Sequence, residues 1–249
     1  MSELRILPDA EALDDAVAER FLHFAWEAIA VHGRFAVALA GGSTPRGAYE
    51  RIATTWQKAP GGPLDWGRVH LFWGDERHVP ADDPRSNYRM TKEALISRVP
   101  IPPQNVHPVP TALPDPHEAA NVYEREIRDF FRPEANDLPR FDLILLGMGA
   151  DGHVASLFPD SEALHAKNRL VVADRVPKLD TLRITLTFPV LNHAANVIVL
   201  VSGREKSATL RRVIQGPHTP PLLPAEGLQP DDGSLLWMAD RDAASWWEV

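Results

Sequence analysis

Several short runs in this chain are apolar throughout rather than at every second residue, and this limits the fold more than any other feature. They are Arg34 to Ala40, Val69 to Trp73, Phe141 to Leu146, Leu170 to Ala173, Leu182 to Thr187, Val197 to Val201 and Leu235 to Ala239. A strand that is apolar on both sides has to be covered on both sides, as strands of parallel sheets are. Segments of helical periodicity lie between these runs. In Glu11 to Val31 the residues Leu13, Val17, Phe21, Phe24 and Ile29 recur near helical spacing, and Gly33 ends the segment. Further helices are expected over Pro45 to about Trp56, Asn87 to Arg98, Pro116 to Phe131, Pro189 to His193 and Lys206 to Ile214, with a loop from Ala59 to Pro63. Strand alternating with helix predicts an α/β fold: a mostly parallel sheet with helices on both faces. The proline-rich stretch from Pro100 to Pro116 is short and interrupted by apolar residues, so residues 1–249 are read as a single domain.

Ligands of such sheets bind beyond the carboxyl ends of the strands. The chemically loaded segments stand there, directly after the first three apolar runs. After the first comes Gly41-Gly42-Ser43-Thr44, followed by Pro45 at the start of a helix. Glycines let the backbone approach a ligand, and the first N–H groups of a helix are unpaired donors at its positive end. The segment is either a phosphate cradle or a plain turn with a Ser or Thr cap. No Lys follows in nucleotide-binding spacing. After the second run comes Gly74-Asp75-Glu76-Arg77-His78, four ionisable groups together. This is either a solvated turn with a local ion pair or part of a site.

The third run ends in Gly147-Met148-Gly149-Ala150-Asp151-Gly152-His153. The glycine spacing imitates a dinucleotide fingerprint, and Asp174 stands about where that motif wants an acid. Pro159 follows too soon to leave room for the crossover helix, and Asp151 would repel a pyrophosphate, so that reading is rejected. His153 on such a loop faces the crevice. With an unperturbed pKa of about 6.5 it can take a proton from water at neutral pH. Asp151 can orient it. Arg183 and Lys206 are each either surface charges or, with the Gly41 to Thr44 loop, a local positive field.

That field matters because the formal net charge of the chain is −8. An anionic ligand needs basic groups converging locally. The same acidity argues against nucleic acid as a partner. Cysteine is absent, which removes disulfides, thiolate metal sites and a Cys nucleophile. No His pair stands at ligand spacing, so neither metal nor another cofactor is expected. Met1 to Asp9 lacks a signal-peptide pattern and the apolar runs are too short to span a bilayer, so a cytoplasmic monomer or small homo-oligomer is expected.

The segments LAGGSTPRGAYERI (Leu39 to Ile52), VHLFWGDERHVPADDPRSNYRM (Val69 to Met90), FDLILLGMGADGHVASLFP (Phe141 to Pro159), RITLTFPVLNHA (Arg183 to Ala194) and SGREKSATL (Ser202 to Leu210), in this order, resemble the 6-phosphogluconolactonase family. The resemblance implies a Rossmann-like α/β domain related to glucosamine-6-phosphate deaminases and ribose-5-phosphate isomerases. It implies hydrolysis of 6-phosphoglucono-δ-lactone, the second step of the oxidative pentose phosphate pathway. It makes His153 the general base and sets the sugar phosphate against Ser43, Thr44, Arg183 and Lys206. Ester hydrolysis also needs a stabilised oxyanion, for which loop N–H groups or Arg77 are candidates. The expected site is therefore His153, Asp151, Asp75 and Arg77 for catalysis, with Gly41, Gly42, Ser43, Thr44, Arg183 and Lys206 for the substrate. A related isomerase or deaminase motif carries an acidic residue shortly after the loop His. Here that stretch reads Leu157-Phe158-Pro159.

Overall fold

Residues 2–58, 61–134, 137–176, 181–217 and 222–247 are described in this computed structural model. Six strands form one wholly parallel sheet: β1 (Ser2–Leu7), β2 (Phe35–Leu39), β3 (Val69–Trp73), β5 (Leu143–Gly147), β8 (Asn196–Val201) and β9 (Ser234–Asp240). Their order across the sheet is β1-β9-β8-β5-β2-β3. All five residues of β2 are buried, so both faces of the sheet are covered there. Three more strands, β4 (Asp75–Arg77), β6 (Val171–Val176) and β7 (Thr181–Leu186), form a separate antiparallel sheet ordered β4-β7-β6.

The runs Leu170 to Ala173 and Leu182 to Thr187, expected among the strands of one mostly parallel sheet, therefore belong to this small sheet. Strand propensity alone does not say which sheet a strand joins. Two strands went unforeseen. β1 reads Ser-Glu-Leu-Arg-Ile-Leu and lies at the sheet edge, where polar residues are tolerated. β4 is only three residues, Asp-Glu-Arg, and exists through its pairing with β7.

The helices are α1 (Ala10–His32), α2 (Ser43–Thr55), α3 (Asn87–Ala94), α4 (Pro116–Phe131), α5 (Phe188–His193) and α6 (Ser207–Gln215). Local chemistry sets several ends. The Asp9 carboxylate accepts the N–H of Ala12, and Gly33 closes α1 at φ 83° in the left-handed region. Asp115 accepts the N–H of His117, with Pro116 in the first turn of α4 where no N–H is missed. The helix expected to run to Arg98 breaks at Leu95 (φ −130°) and continues as one 3₁₀ turn, Ile96–Arg98. Of the expected Ala59 to Pro63 loop, Ala59 and Pro60 lie outside the described residues. Among the described residues no helix is long and apolar enough to cross a membrane.

From β2 the chain passes to β3 on one side, while β5 and β8 lie on the other. The crevice where connections diverge in this way is where parallel sheets place ligands.

Candidate active site

Four adjacent strands, β8, β5, β2 and β3, deliver their carboxyl ends to one cleft of about 320 Å3. At the end of β2 the chain turns through Gly41 and Gly42 into α2. A Cβ at Gly41 would stand 1.8 Å from Asn87 Oδ1, so the two chains can pass only with glycine here. Gly42, at φ 109°, is the N-cap of α2 and has no side chain to bond the first amides. That leaves the positive end of a 13-residue helix open to an anion at Ser43 and Thr44.

Past β5, a bridge between Met148 and Val154 folds the glycine loop back on itself. Gly152 turns it at φ 80° and donates its N–H to Gly149 O at 3.0 Å. The turn places the Asp151 Oδ1 atom 2.6 Å from His153 Nδ1. The same oxygen takes the His153 N–H at 3.2 Å. On its far side the imidazole stacks on Phe158, ring centroids 4.1 Å apart. The hydrogen bond to the His153 ring holds the Asp151 carboxyl down at about 2, against the opposing effect of partial burial. An ionised carboxylate only accepts, so Nδ1 carries a proton, and in the neutral tautomer this selects, Nε2 is the nitrogen with the lone pair. Among the described residues no α-helix follows Gly152 before Phe188.

Past β3, Asp75 and Arg77 lie on β4 and share one of its faces. Asp75 is buried, accepting from Ser156 Oγ at 2.6 Å and Asn87 Nδ2 at 3.2 Å. Glu76, between them, points elsewhere. It accepts the N–H groups of Arg77, Asn87 and Tyr88 and the Ser86 hydroxyl, tying β4 to the start of α3. Burial raises its carboxyl pKa, with the backbone bonds opposing. His78 Nε2 pairs with Leu113 O at 2.8 Å. Neither Glu76 nor His78 lines the cleft.

Arg77 and Arg183 are cross-strand partners in the β4–β7 pair. Arg77 donates from Nη1 to Arg85 O, while its buried Nε has no partner among the described residues. Arg183 is 8% exposed and donates from Nε to Thr181 Oγ1 at 3.1 Å. Burial lowers the pKa of Arg183, and the neighbouring Arg77 lowers it further. Two cations held side by side, one with a buried donor unused, make an electrostatic vacancy for an anion. At the end of β8, Ser202 Oγ and the Gly203 N–H donate to Asp240, and Gly203 at φ 100° turns the chain so that Lys206 reaches the same cleft.

Gly41, Gly42, Ser43, Thr44, Asp75, Arg77, His153, Arg183 and Lys206 thus all line one cleft, with Asp151 behind His153. Sequence reasoning passed over Asn87 and Ser156, and took Phe158 only as part of a stretch that lacks an acid. They lie inside segments it quoted, but a small polar residue and a lone Phe carry no signal until the loop is folded.

The fold brings a carboxylate-bonded imidazole and a pair of arginines to one cleft at the carboxyl ends of a parallel sheet, the arrangement of an α/β enzyme site. A family model described as glucosamine-6-phosphate isomerases/6-phosphogluconolactonase matches residues 8–237, and the chain belongs to that family. A 6-phosphogluconolactonase of Synechocystis sp. is 43% identical over 217 residues, 87% of this chain and 86% of the relative. The crystal structure of 6-phosphogluconolactonase from Thermotoga maritima is 36% identical with a TM-score of 0.80, covering 96% of this chain and 100% of the other. A monomeric glucosamine-6-phosphate deaminase of the NagB superfamily, 19% identical with a TM-score of 0.80 over 98% of this chain and 100% of the other, shares the fold.

Proposed function

We propose that the chain hydrolyses 6-phospho-D-glucono-1,5-lactone to 6-phospho-D-gluconate, the second step of the oxidative pentose phosphate pathway, in the cytoplasm. The observation that carries this reading is the Asp151–His153 pair, 2.6 Å apart, in the same cleft as the Arg77–Arg183 pair. The names of the similar proteins support the same substrate.

In this scheme the phosphate rests on Arg183, Lys206 and the open amides of Ser43 and Thr44. Nε2 of His153 takes a proton from water as its oxygen attacks the lactone carbonyl, and the imidazolium that forms is stabilised by Asp151. The carbonyl electrons move onto oxygen, where Arg77 or a loop N–H holds the oxyanion. Collapse breaks the bond from the carbonyl carbon to the ring oxygen, and Nε2–H returns the proton to that oxygen. The acid product then ionises in water. No acyl-enzyme and no cofactor enter the scheme. All its groups lie between Gly41 and Lys206, so one domain suffices. Phe158, stacked on His153, stands in the stretch where the isomerase and deaminase motif places a carboxylate, and it cannot move protons at a sugar carbon.

The test is lactone hydrolysis corrected for spontaneous opening, run beside isomerase and deaminase assays on glucosamine 6-phosphate. The lactone should open and the amino sugar should not react. His153→Ala should lower kcat by about 10²–10⁴-fold. Turnover of the amino sugar without lactone opening would overturn the substrate, and near-normal kcat in His153→Ala would overturn the base.

A further inference from the structure

Asp75 was expected among the catalytic groups, yet both of its carboxylate oxygens are engaged inside the protein. It faces Thr185 across the β4–β7 pair, and the two are 7% and 1% exposed. The turn that follows His153 is inserted between them. Its ends are joined by the Leu157 N–H donating to Val154 O at 2.9 Å, and Ser156, fully buried, sits near its tip. The Ser156 N–H donates to Thr185 Oγ1 at 3.2 Å, and its hydroxyl donates to Asp75 Oδ2 at 2.6 Å. Thr185 sends its own hydroxyl proton to Leu186 O at 3.0 Å, which leaves its oxygen free to accept. Both Asp75 carboxylate oxygens and both hydroxyl groups are thus engaged.

Ala155, next to Ser156, is held at φ 49°, a left-handed conformation that a non-glycine residue keeps only when its surroundings enforce it. And the next outward pair on the same face of β4 and β7 is Arg77 with Arg183. One face of a rigid two-stranded ribbon thus carries both the guanidinium pair and the grip on the turn between His153 and Phe158.

We propose that Asp75, Ser156 and Thr185 form a latch that fixes the His153 loop in register with the Arg77–Arg183 pair, and that Asp75 is a positioning residue rather than a proton-transfer group. The inference rests on the reading of His153 as the base. The latch sets the distance between the activated water and the bound anion. Its loss leaves both sites intact and misplaces one against the other.

The experiment is a steady-state comparison of Ser156→Ala, Asp75→Ala, Asp75→Asn and the double variant Ser156→Ala/Asp75→Ala on the phosphorylated lactone. Ser156→Ala should lower kcat by about ten- to a hundredfold, the scale of a misplacement near 1 Å, with KM nearly unchanged. The pH at which the acid limb of kcat/KM falls should not move, because the Asp151–His153 pair is untouched. Asp75→Asn keeps an oxygen to accept from Ser156 and should recover most of the activity lost in Asp75→Ala. The double variant should be no worse than the poorer single one, since both break one device.

Asp75→Asn as inactive as Asp75→Ala, or losses that multiply in the double variant, would overturn the latch. So would a loss in Ser156→Ala that falls on KM or moves the acid limb. If Ser156→Ala does not fold, Thr185→Val, which removes the acceptor for the Ser156 N–H, answers the same question. Failure of the base reading is distinct: His153→Ala would then be active, whereas failure of the latch alone leaves His153→Ala inactive and Ser156→Ala normal.

Discussion

Replacing Asp151 by Asn isolates what its charge contributes. In the folded protein the carboxyl is lowered from 3.8 to about 2, chiefly by its bond to the His153 ring. Nearly two pKa units correspond to at most ~2 kcal/mol between the charged and neutral forms. The two side chains are 38% and 30% exposed, so solvent screens the interaction and roughly half, ~1 kcal/mol or a little more, should remain. A carboxylate holds an imidazolium more strongly than a neutral ring, so the part of that energy gained as the ring takes the water proton is lost from the transition state. Asp151→Asn should therefore lower kcat by about five- to fifteenfold. The amide oxygen still accepts from Nδ1–H, so the ring stays oriented and the loss stays well short of that in His153→Ala. Asp151→Ala, which also frees the ring, should fall between them. The carboxylate is ionised throughout pH 5–8, so the comparison belongs on the plateau above the acid limb of kcat/KM, a limb that loss of the counter-charge should move to lower pH. The sign for stability is set by the depressed pKa. The contribution is present above about pH 4 and disappears as pH falls toward 2. The assay is initial-rate proton release on lactone generated in situ, with spontaneous opening subtracted, beside thermal unfolding at pH 7 and pH 2.5. An Asp151→Asn enzyme within twofold of wild type, or as slow as His153→Ala, would refute the division of labour between the two residues.

Gly149→Ala should be nearly inactive while unfolding at an unchanged temperature, because the new Cβ would lie 2.1 Å from His153 Nδ1 and 2.6 Å from Asp151 Oδ1; kcat within threefold of wild type would show that the ring has room to spare. A pH effect on stability is expected far from the cleft, where His70 Nδ1 lies 3.3 Å from His107 Nε2, and His107 Nδ1 lies 2.8 Å from Glu126 Oε1. Burial, then His107 and Arg34, push the His70 imidazole down to about 4. Its contribution is full above about pH 6.5 and is lost as pH falls toward 4, so wild type should lose ~1–2 kcal/mol relative to His70→Phe across that window after allowance for its half-burial. A difference in Tm between the two proteins that is equal at pH 7.5 and pH 4.5 would count against it.

The strands that build the large sheet could be read because burial on both faces writes itself as an unbroken apolar run, as in Phe35–Leu39 and Val69–Trp73. The strand-end loops could be read because glycine, His and clustered charge are uncommon together. The small sheet escaped because its meaning lies in pairing. Nothing local in Asp75-Glu76-Arg77 says that Arg77 will face Arg183 or that Asp75 will face Thr185. Glu76 and His78 looked equal to their neighbours in the charged cluster. The two-residue alternation of a strand sends Glu76 away from Asp75 and Arg77, and His78 turns to Leu113. Ser156 escaped for another reason. A buried serine earns its place through partners distant in sequence, and no spacing rule announces them.

The order of strands in the large sheet also bears on how the chain reaches its native state. β9, the last strand in chain order, lies between β1, the first, and β8. While a ribosome is still making the chain, Ser2–Leu7 has no neighbour to bond, and the apolar edge of β8 stays open. The cleft strands β2, β3, β5 and β8 can associate before then. Pairing of β1 with β9 closes the largest loop among the described strands, which is slow for entropic reasons. The topology therefore allows a stage in which the cleft strands are paired and the β8 edge is still open. In that interval chaperone capture competes with aggregation.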